Sequence, residues 1–162
     1  AALLGQYALP ETLAARCRAA LEQPLPRVEL GLALREEGLA HAAIDVSDGL
    51  LADLGHIAER SHLAIEVSVL QLPRLPAGVD PLRAQRCQVA GGDDYELAFT
   101  ASPEHRTALA ALAARLDLPL WRIGWTRATD ATTPIGVALL DADGKALPLT
   151  HTGFDHFDQE AQ

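Results

Sequence analysis

The stretch "AAIDVSDGLLADLG", Ala42 to Gly55, decides how the chain reads. Its apolar run ends on Asp45, then Ser47 and Asp48 follow, and Gly49 opens a segment with helical periodicity. Leu50, Leu51, Leu54, Ile57 and Ala58 share one face of a helix running to His62. A strand therefore hands over to a helix, with two carboxylates and a hydroxyl at the junction. In an extended segment Asp45 and Ser47 project to the same side. A helix start offers free N–H groups and a partial charge of about +0.5, so it can receive a phosphate, with Ser47 adding a hydroxyl. Mg²⁺ takes one or two carboxylates plus phosphate oxygens. Asp45, Ser47 and Asp48 thus form a candidate half-site for a metal-bound phosphate. Helix capping is the competing account, and a Ser or Asp N-cap alone is worth about 1 kcal/mol. It covers Ser47 or Asp48 and leaves Asp45 unexplained; on pattern alone capping is the commoner case.

Outward from this stretch, helices and strands alternate. Upstream, "PETLAARCRAALEQP" and "PRVELGLALREEG" read as two helices, the second stopped by Gly38. Downstream, "LAIEVSVLQL" alternates Ile65, Val67 and Val69 against Glu66 and Ser68, as a half-buried strand does. "LRAQRCQVAGG" reads as a short helix closed by glycine. "DYELAFTAS" alternates again, with Tyr95, Leu97 and Phe99 on one face. "SPEHRTALAALAARLDL" is a helix, "PLWRIGWTR" a strand, and "TPIGVALLDADGKALPLT" a hairpin turning at Asp143-Gly144. Two helices, alternating strands and helices, and a terminal hairpin predict an α/β or α+β domain with a mixed sheet.

Two further clusters could carry chemistry. In "AGGDDYELAFT", Gly91 and Gly92 permit a turn or a close backbone approach. Asp93, Asp94 and Glu96 follow, and three acids so close repel unless water or a cation neutralises them. A solvated turn on an edge strand is the alternative. In "GFDHF", Gly153 to Phe157, two phenylalanines flank Asp155 and His156. They either dock the terminus on the core or offer an aromatic face to a flat cationic ring. Trp121, Ile123 and Trp125 read as core or edge packing. The histidines at 41, 56, 62, 105 and 151 show no HExxH-type spacing and read as surface or helix-end residues.

Bulk composition narrows the class. The chain has 162 residues, 49% of them apolar, enough for one domain with a real core. Its net charge of −9 argues against nucleic-acid and anionic-membrane partners. Cys17 and Cys87 lack CxxC spacing and read as free thiols of a cytoplasmic protein. No apolar run nears the roughly 20 residues of a membrane span. The chain contains no Met and opens in helical text, so it is expected to be a piece of something longer.

Together, "AIDVSDGLLADLGHIAE", "AGGDDYELAFT" and "GFDHF" resemble the C-terminal half of thiamine-monophosphate kinases, in the superfamily of aminoimidazole ribonucleotide synthetase and selenide-water dikinase. The resemblance runs from Pro26 to Phe157; "DVSDGL" marks the superfamily loosely, "GGDDYEL" with "GFDHF" the thiamine-phosphate branch. It implies an α+β fold, a mixed sheet packed with helices and partly ferredoxin-like. It implies transfer of the ATP γ-phosphoryl group to thiamine monophosphate with Mg²⁺, a reaction that rests on positioning and charge neutralisation. Carried over by motif, Asp45 and Asp48 would bind Mg²⁺, Ser47 the nucleotide phosphate, Glu96 the thiamine moiety, and Phe154 the substrate ring. Gly91, Gly92, Asp93 and Asp94 of the same motif are further candidate site residues. An N-terminal domain with further metal-binding acids and the homodimer contact is part of the family pattern and is not visible here. Residues 1–162 are therefore expected to be the single C-terminal domain of a two-domain kinase, monomeric and with little activity alone. A sister enzyme acting on another ATP-activated substrate, and a non-catalytic nucleotide- or partner-binding domain, are the alternatives.

Overall fold

The computed structural model describes residues 9–74 and 77–148. Its elements are α1 (Glu11–Glu22), α2 (Val28–Glu36), β1 (Ala42–Val46), α3 (Leu50–Ser61), β2 (Leu63–Ser68), α4 (Pro81–Ala90), β3 (Glu96–Thr100), α5 (Arg106–Arg115), β4 (Gly124–Ala128) and β5 (Gly136–Leu140). The order matches the sequence pattern, and the class is α+β. The strands divide between two sheets instead of forming one. β1 and β3 make an antiparallel pair, with Asp45 opposite Leu97 and Val46 opposite Glu96. β2 is the centre of the second sheet, antiparallel to β4 and parallel to β5.

Two cores sit on opposite faces of the β1–β3 pair. On one side α3 buries Leu51, Leu54, Ile57 and Ala58 against Val46 and Ala98, and reaches Ile65 and Val67 of β2. On the other, Leu30 and Leu34 of α2 meet Leu112 of α5, with Leu97 and Phe99 packed against them. The alternation of β3 divides its side chains between these cores. Leu97 and Phe99 go to the α2 side, and Ala98 goes to the α3 side. α1 forms as its periodicity predicts but buries none of its residues.

Several expectations need correction. β3 starts at Glu96, so Asp94 and Tyr95 are not strand residues. Asp93 and Tyr95 take positive φ, 64° and 52°, which extended backbone does not. β4 starts at Gly124, five residues after the expected Pro119. Trp121 and Trp125 are exposed, Trp125 on the edge strand β4, while Ile123 of the same face packs against the core, so the segment divides between edge and core packing. The Trp125 indole N–H and Arg127 Nε both donate to Glu66 on β2. The hairpin turn at Asp143-Gly144 forms, with Asp141 Oδ1 accepting the N–H of Asp143 and Lys145. Among the described residues its second strand is only a bridge, Leu140 to Ala146. No helix among the described residues is long and apolar enough to cross a membrane.

Candidate functional site

The turn after β1 is built around a residue that sequence pattern did not single out. Asp53 lies in the first turn of α3 and is 2% exposed. Its Oδ2 accepts the backbone N–H groups of Ser47, Asp48 and Gly49 at 3.0, 3.2 and 3.1 Å. Gly49, at φ 131°, holds the N-cap position without a side-chain cap bond. Neither Ser47 nor Asp48 therefore caps the helix, because the capping acid reaches back from inside it. The backbone donors of residues 47–49 are satisfied by Asp53. What the turn offers a ligand is side chains. A signal for Asp53 was available, since it is an acid between Leu51 and Leu54, four residues after Gly49.

Asp48, Asp53 and His56 each bring a possible ligand atom within 4.8 Å of the others. His56, read from the sequence as a surface or helix-end residue, is exposed and joins this group one helical turn past Asp53. Two carboxylates fit a hard cation such as Mg²⁺, whereas the imidazole suits softer divalent metals better. Asp45 is not in this group. It is exposed on the α2 side of β1 and lines a cavity of about 470 Å³ with Pro26, Arg27, Val28, Tyr95 and Glu96. Ser47 is half-buried beside the turn.

The second motif is seated on the first by close backbone approach. Asp93 N–H donates to Ser47 O at 2.8 Å, and Tyr95 N–H to Val46 O at 2.9 Å. A Cβ on Gly92 would fall 2.4 Å from Ser47 O, and one on Gly49 would fall 3.1 Å from the Ala90 carbonyl. Two glycine-bearing segments, distant in sequence, thus touch where side chains would hold them apart.

Glu96 opens β3 and is gripped by Arg27, the residue at the N-cap position of α2. Arg27 Nε donates to Oε2 at 2.8 Å and its terminal N–H to Oε1 at 2.6 Å. The bond to Glu96 holds the guanidinium charged, above its ordinary range. Phe154 and the rest of "GFDHF" lie outside the described residues.

Asp94 is pushed up to about 6, first by partial desolvation of its carboxyl in the turn, then by the charges of Glu96 and Asp93. Its folded state therefore favours the proton more than the unfolded chain does, near 3.8. The resulting destabilisation is full above about pH 6 and fades as pH falls through 6 toward 3.8. Asp94→Asn is expected to raise the melting temperature at pH 8 and to leave it unchanged near pH 3.5. Thermal melts of both proteins at the two pH values check this; equal shifts at both would refute it.

These placements meet the comparisons with known proteins. A family model, AIR synthase related protein, C-terminal domain, matches residues 8–136. The chain belongs to that family. The matched span includes both motif loops and ends at the start of β5. Within the family, the chain is 41% identical over 140 residues to the thiamine-monophosphate kinase of Haemophilus influenzae, across 83% of this chain and 41% of that protein. Its structure is similar to the thiamine-monophosphate kinase from Stenotrophomonas maltophilia K279a, with TM-score 0.74 and 46% identity over 87% of this chain and 42% of that one. It is also similar to AaThiL complexed with AMPPCP and TMP, with TM-score 0.68 and 27% identity over 96% of this chain and 45% of that one. The chain spans less than half the length of these relatives. The family fold agrees with the expected α+β class.

Proposed function

We propose that this domain is the C-terminal part of a thiamine-phosphate kinase, which moves the terminal phosphoryl group of ATP onto the phosphate of thiamine monophosphate. The products are ADP and thiamine diphosphate. The observation that carries the reading is the seating of the "DVSDG" turn on the "GGDDY" loop, through Asp93 N–H on Ser47 O and the bare faces of Gly92 and Gly49. It brings metal-binding residue types beside a cavity that holds Glu96. The relatives named thiamine-monophosphate kinase, one of them solved with AMPPCP and TMP, support the same reading.

In this reading Asp48 and Asp45 hold Mg²⁺, with the Asp53 carboxylate within reach of the Asp48 site. The ion supplies charge neutralisation for the phosphates. Ser47 meets the nucleotide phosphate, Glu96 the thiamine moiety, and Phe154 the substrate ring. In this reading the other metal-binding acids and the homodimer contact belong to the N-terminal part of a two-domain kinase, and the 162-residue chain tested alone is a monomer with little turnover. Exposed free thiols at Cys17 and Cys87 suit a cytoplasmic setting.

The test joins this chain to the N-terminal part of the Haemophilus influenzae relative and incubates it with ATP, Mg²⁺ and thiamine monophosphate. Thiamine diphosphate is followed by chromatography. Product from the joined protein is expected, with Asp48→Asn reducing turnover by roughly 100-fold, as loss of a metal-held charge does in phosphoryl transfer. No product from a folded, nucleotide-binding protein would move the reading to another ATP-dependent member of the superfamily.

A further inference from the structure

We propose that Arg27 is a positioning residue for Glu96, fixing the carboxylate that faces the bound substrate. The inference rests on the reading of the cavity as the thiamine-phosphate site.

Glu96 begins a strand, so its backbone is pinned opposite Val46, but its side chain is 53% exposed. A free glutamate there would sample many rotamers, and ordering it on ligand binding would cost affinity. Arg27 removes that freedom. Its own side chain is less exposed, at 25%, and rises from the N-cap position of α2. Pro24 and Pro26, in the same cavity wall, stiffen the approach to that position. The guanidinium fork takes one lone pair on each oxygen and sets the plane of the carboxylate. A carboxylate accepts about four hydrogen bonds, so lone pairs remain on both oxygens for a donor or cation in the cavity.

The surroundings add a reason for a cation at this point. Asp45 lines the same cavity, and Asp94 is close enough to Glu96 to feel its charge. Without Arg27 these acids would repel Glu96 and turn it from its aim. The pair joins residues 69 apart in sequence and also fastens α2 to β3. The experiment must therefore separate aim from fastening.

Binding of thiamine monophosphate and of an ATP analogue to this chain joined to the N-terminal part of the Haemophilus influenzae relative is measured by calorimetry for wild type, Arg27→Ala, Arg27→Lys, Glu96→Ala and the double alanine variant. Melting temperatures are recorded for each. Arg27→Ala is expected to weaken thiamine monophosphate binding roughly tenfold, the scale of a lost hydrogen bond to a charged group. Nucleotide binding should stay within twofold. Arg27→Lys should recover less than half of the loss, because one ammonium cannot engage both oxygens as a fork does. The double variant should bind no more weakly than Glu96→Ala, because a residue acting through Glu96 has nothing left to position. Losses that multiply would show Arg27 touching the ligand itself and overturn the proposal. Equal loss of nucleotide binding with a lowered melting temperature would make the pair a fastening only, and overturn it. Full recovery by lysine would do the same, since charge without geometry would suffice. A joined wild-type protein that binds no thiamine monophosphate would instead overturn the reading of the cavity, and the proposal with it.

Discussion

Asp53→Ala is expected to destabilise the domain by about 3–5 kcal/mol, the sum for several backbone donors left without their acceptor at about 1–3 kcal/mol each when shielded from water. The carboxylate is 2% exposed and one oxygen receives three backbone N–H groups. Alanine leaves those donors without their acceptor, in a turn where two of them are only part-buried and that of Gly49 is buried. Each orphaned donor costs about 1–3 kcal/mol if water cannot reach it. For a chain of this length 1 kcal/mol shifts the melting temperature by roughly 2–4 °C, so a fall of about 10 °C is expected. Asp53→Asn keeps an acceptor of the same shape and loses the charge, and charge-assisted bonds are about twice as strong as neutral ones. It should fall between wild type and alanine. Chemical and thermal unfolding of the three proteins measures the order. If alanine lies within about 1 kcal/mol of wild type, water has replaced the carboxylate and Asp53 does not organise the turn. A second readout follows from its placement beside Asp48 and His56. Mg²⁺ binding should weaken even in Asp53→Asn, although that protein stays folded.

Gly92→Ala is expected to separate the two motif loops. The new Cβ would sit 2.4 Å from Ser47 O, a backbone atom, so no rotamer change can relieve it. Either the loop at 91–95 or the turn at 47–49 must move. The bond from Asp93 N–H to Ser47 O, at 2.8 Å, is the first to lengthen. Overpacking of this kind costs about 1–3 kcal/mol, and the melting temperature should drop by roughly 2–12 °C. The functional effect should accompany the stability effect. Ser47 and Asp48 share the turn that moves, and Glu96 follows the loop that moves, so nucleotide and thiamine monophosphate binding should both fall at least about tenfold, as misplacement of a site by about 1 Å does. Gly55→Ala is the control. Nothing lies within 4 Å of its added Cβ, in the middle of α3. That substitution should stabilise by about 0.5–1 kcal/mol through helix propensity and leave binding alone. Equal behaviour of the two variants would mean that the loops are not held by this approach.

Much of the fold was legible because its signals are local. The apolar stripe of α3, Leu51, Leu54, Ile57 and Ala58, is a helical period, and it is the stripe that is buried. The alternation of Ile65 and Val67 is a strand period, and both side chains are buried in β2. Errors came where a nonlocal contact set the backbone. Asp94-Tyr95 continues the alternation of β3, but Asp93 and Tyr95 leave extended geometry to reach Ser47 O and Val46 O. Pattern cannot register a bond to a carbonyl some 45 residues away.

The candidate site divides along the same line. By itself the sequence determined that acids, a hydroxyl and paired glycines stand at element ends, because residue types and turn positions are written in the chain. Asp45, Ser47, Asp48 and Glu96 could all be named from it. Only the tertiary structure decided what each one meets. It turned Asp53 from a helix-face acid into the acceptor that shapes the turn. It grouped His56 with Asp48, put Asp45 in a cavity with Glu96, and gave Glu96 the fork of Arg27. The reason is range. Hydrophobic period and turn chemistry act over a few residues, whereas hydrogen bonds and charge pairing act across whatever distance the folded chain closes.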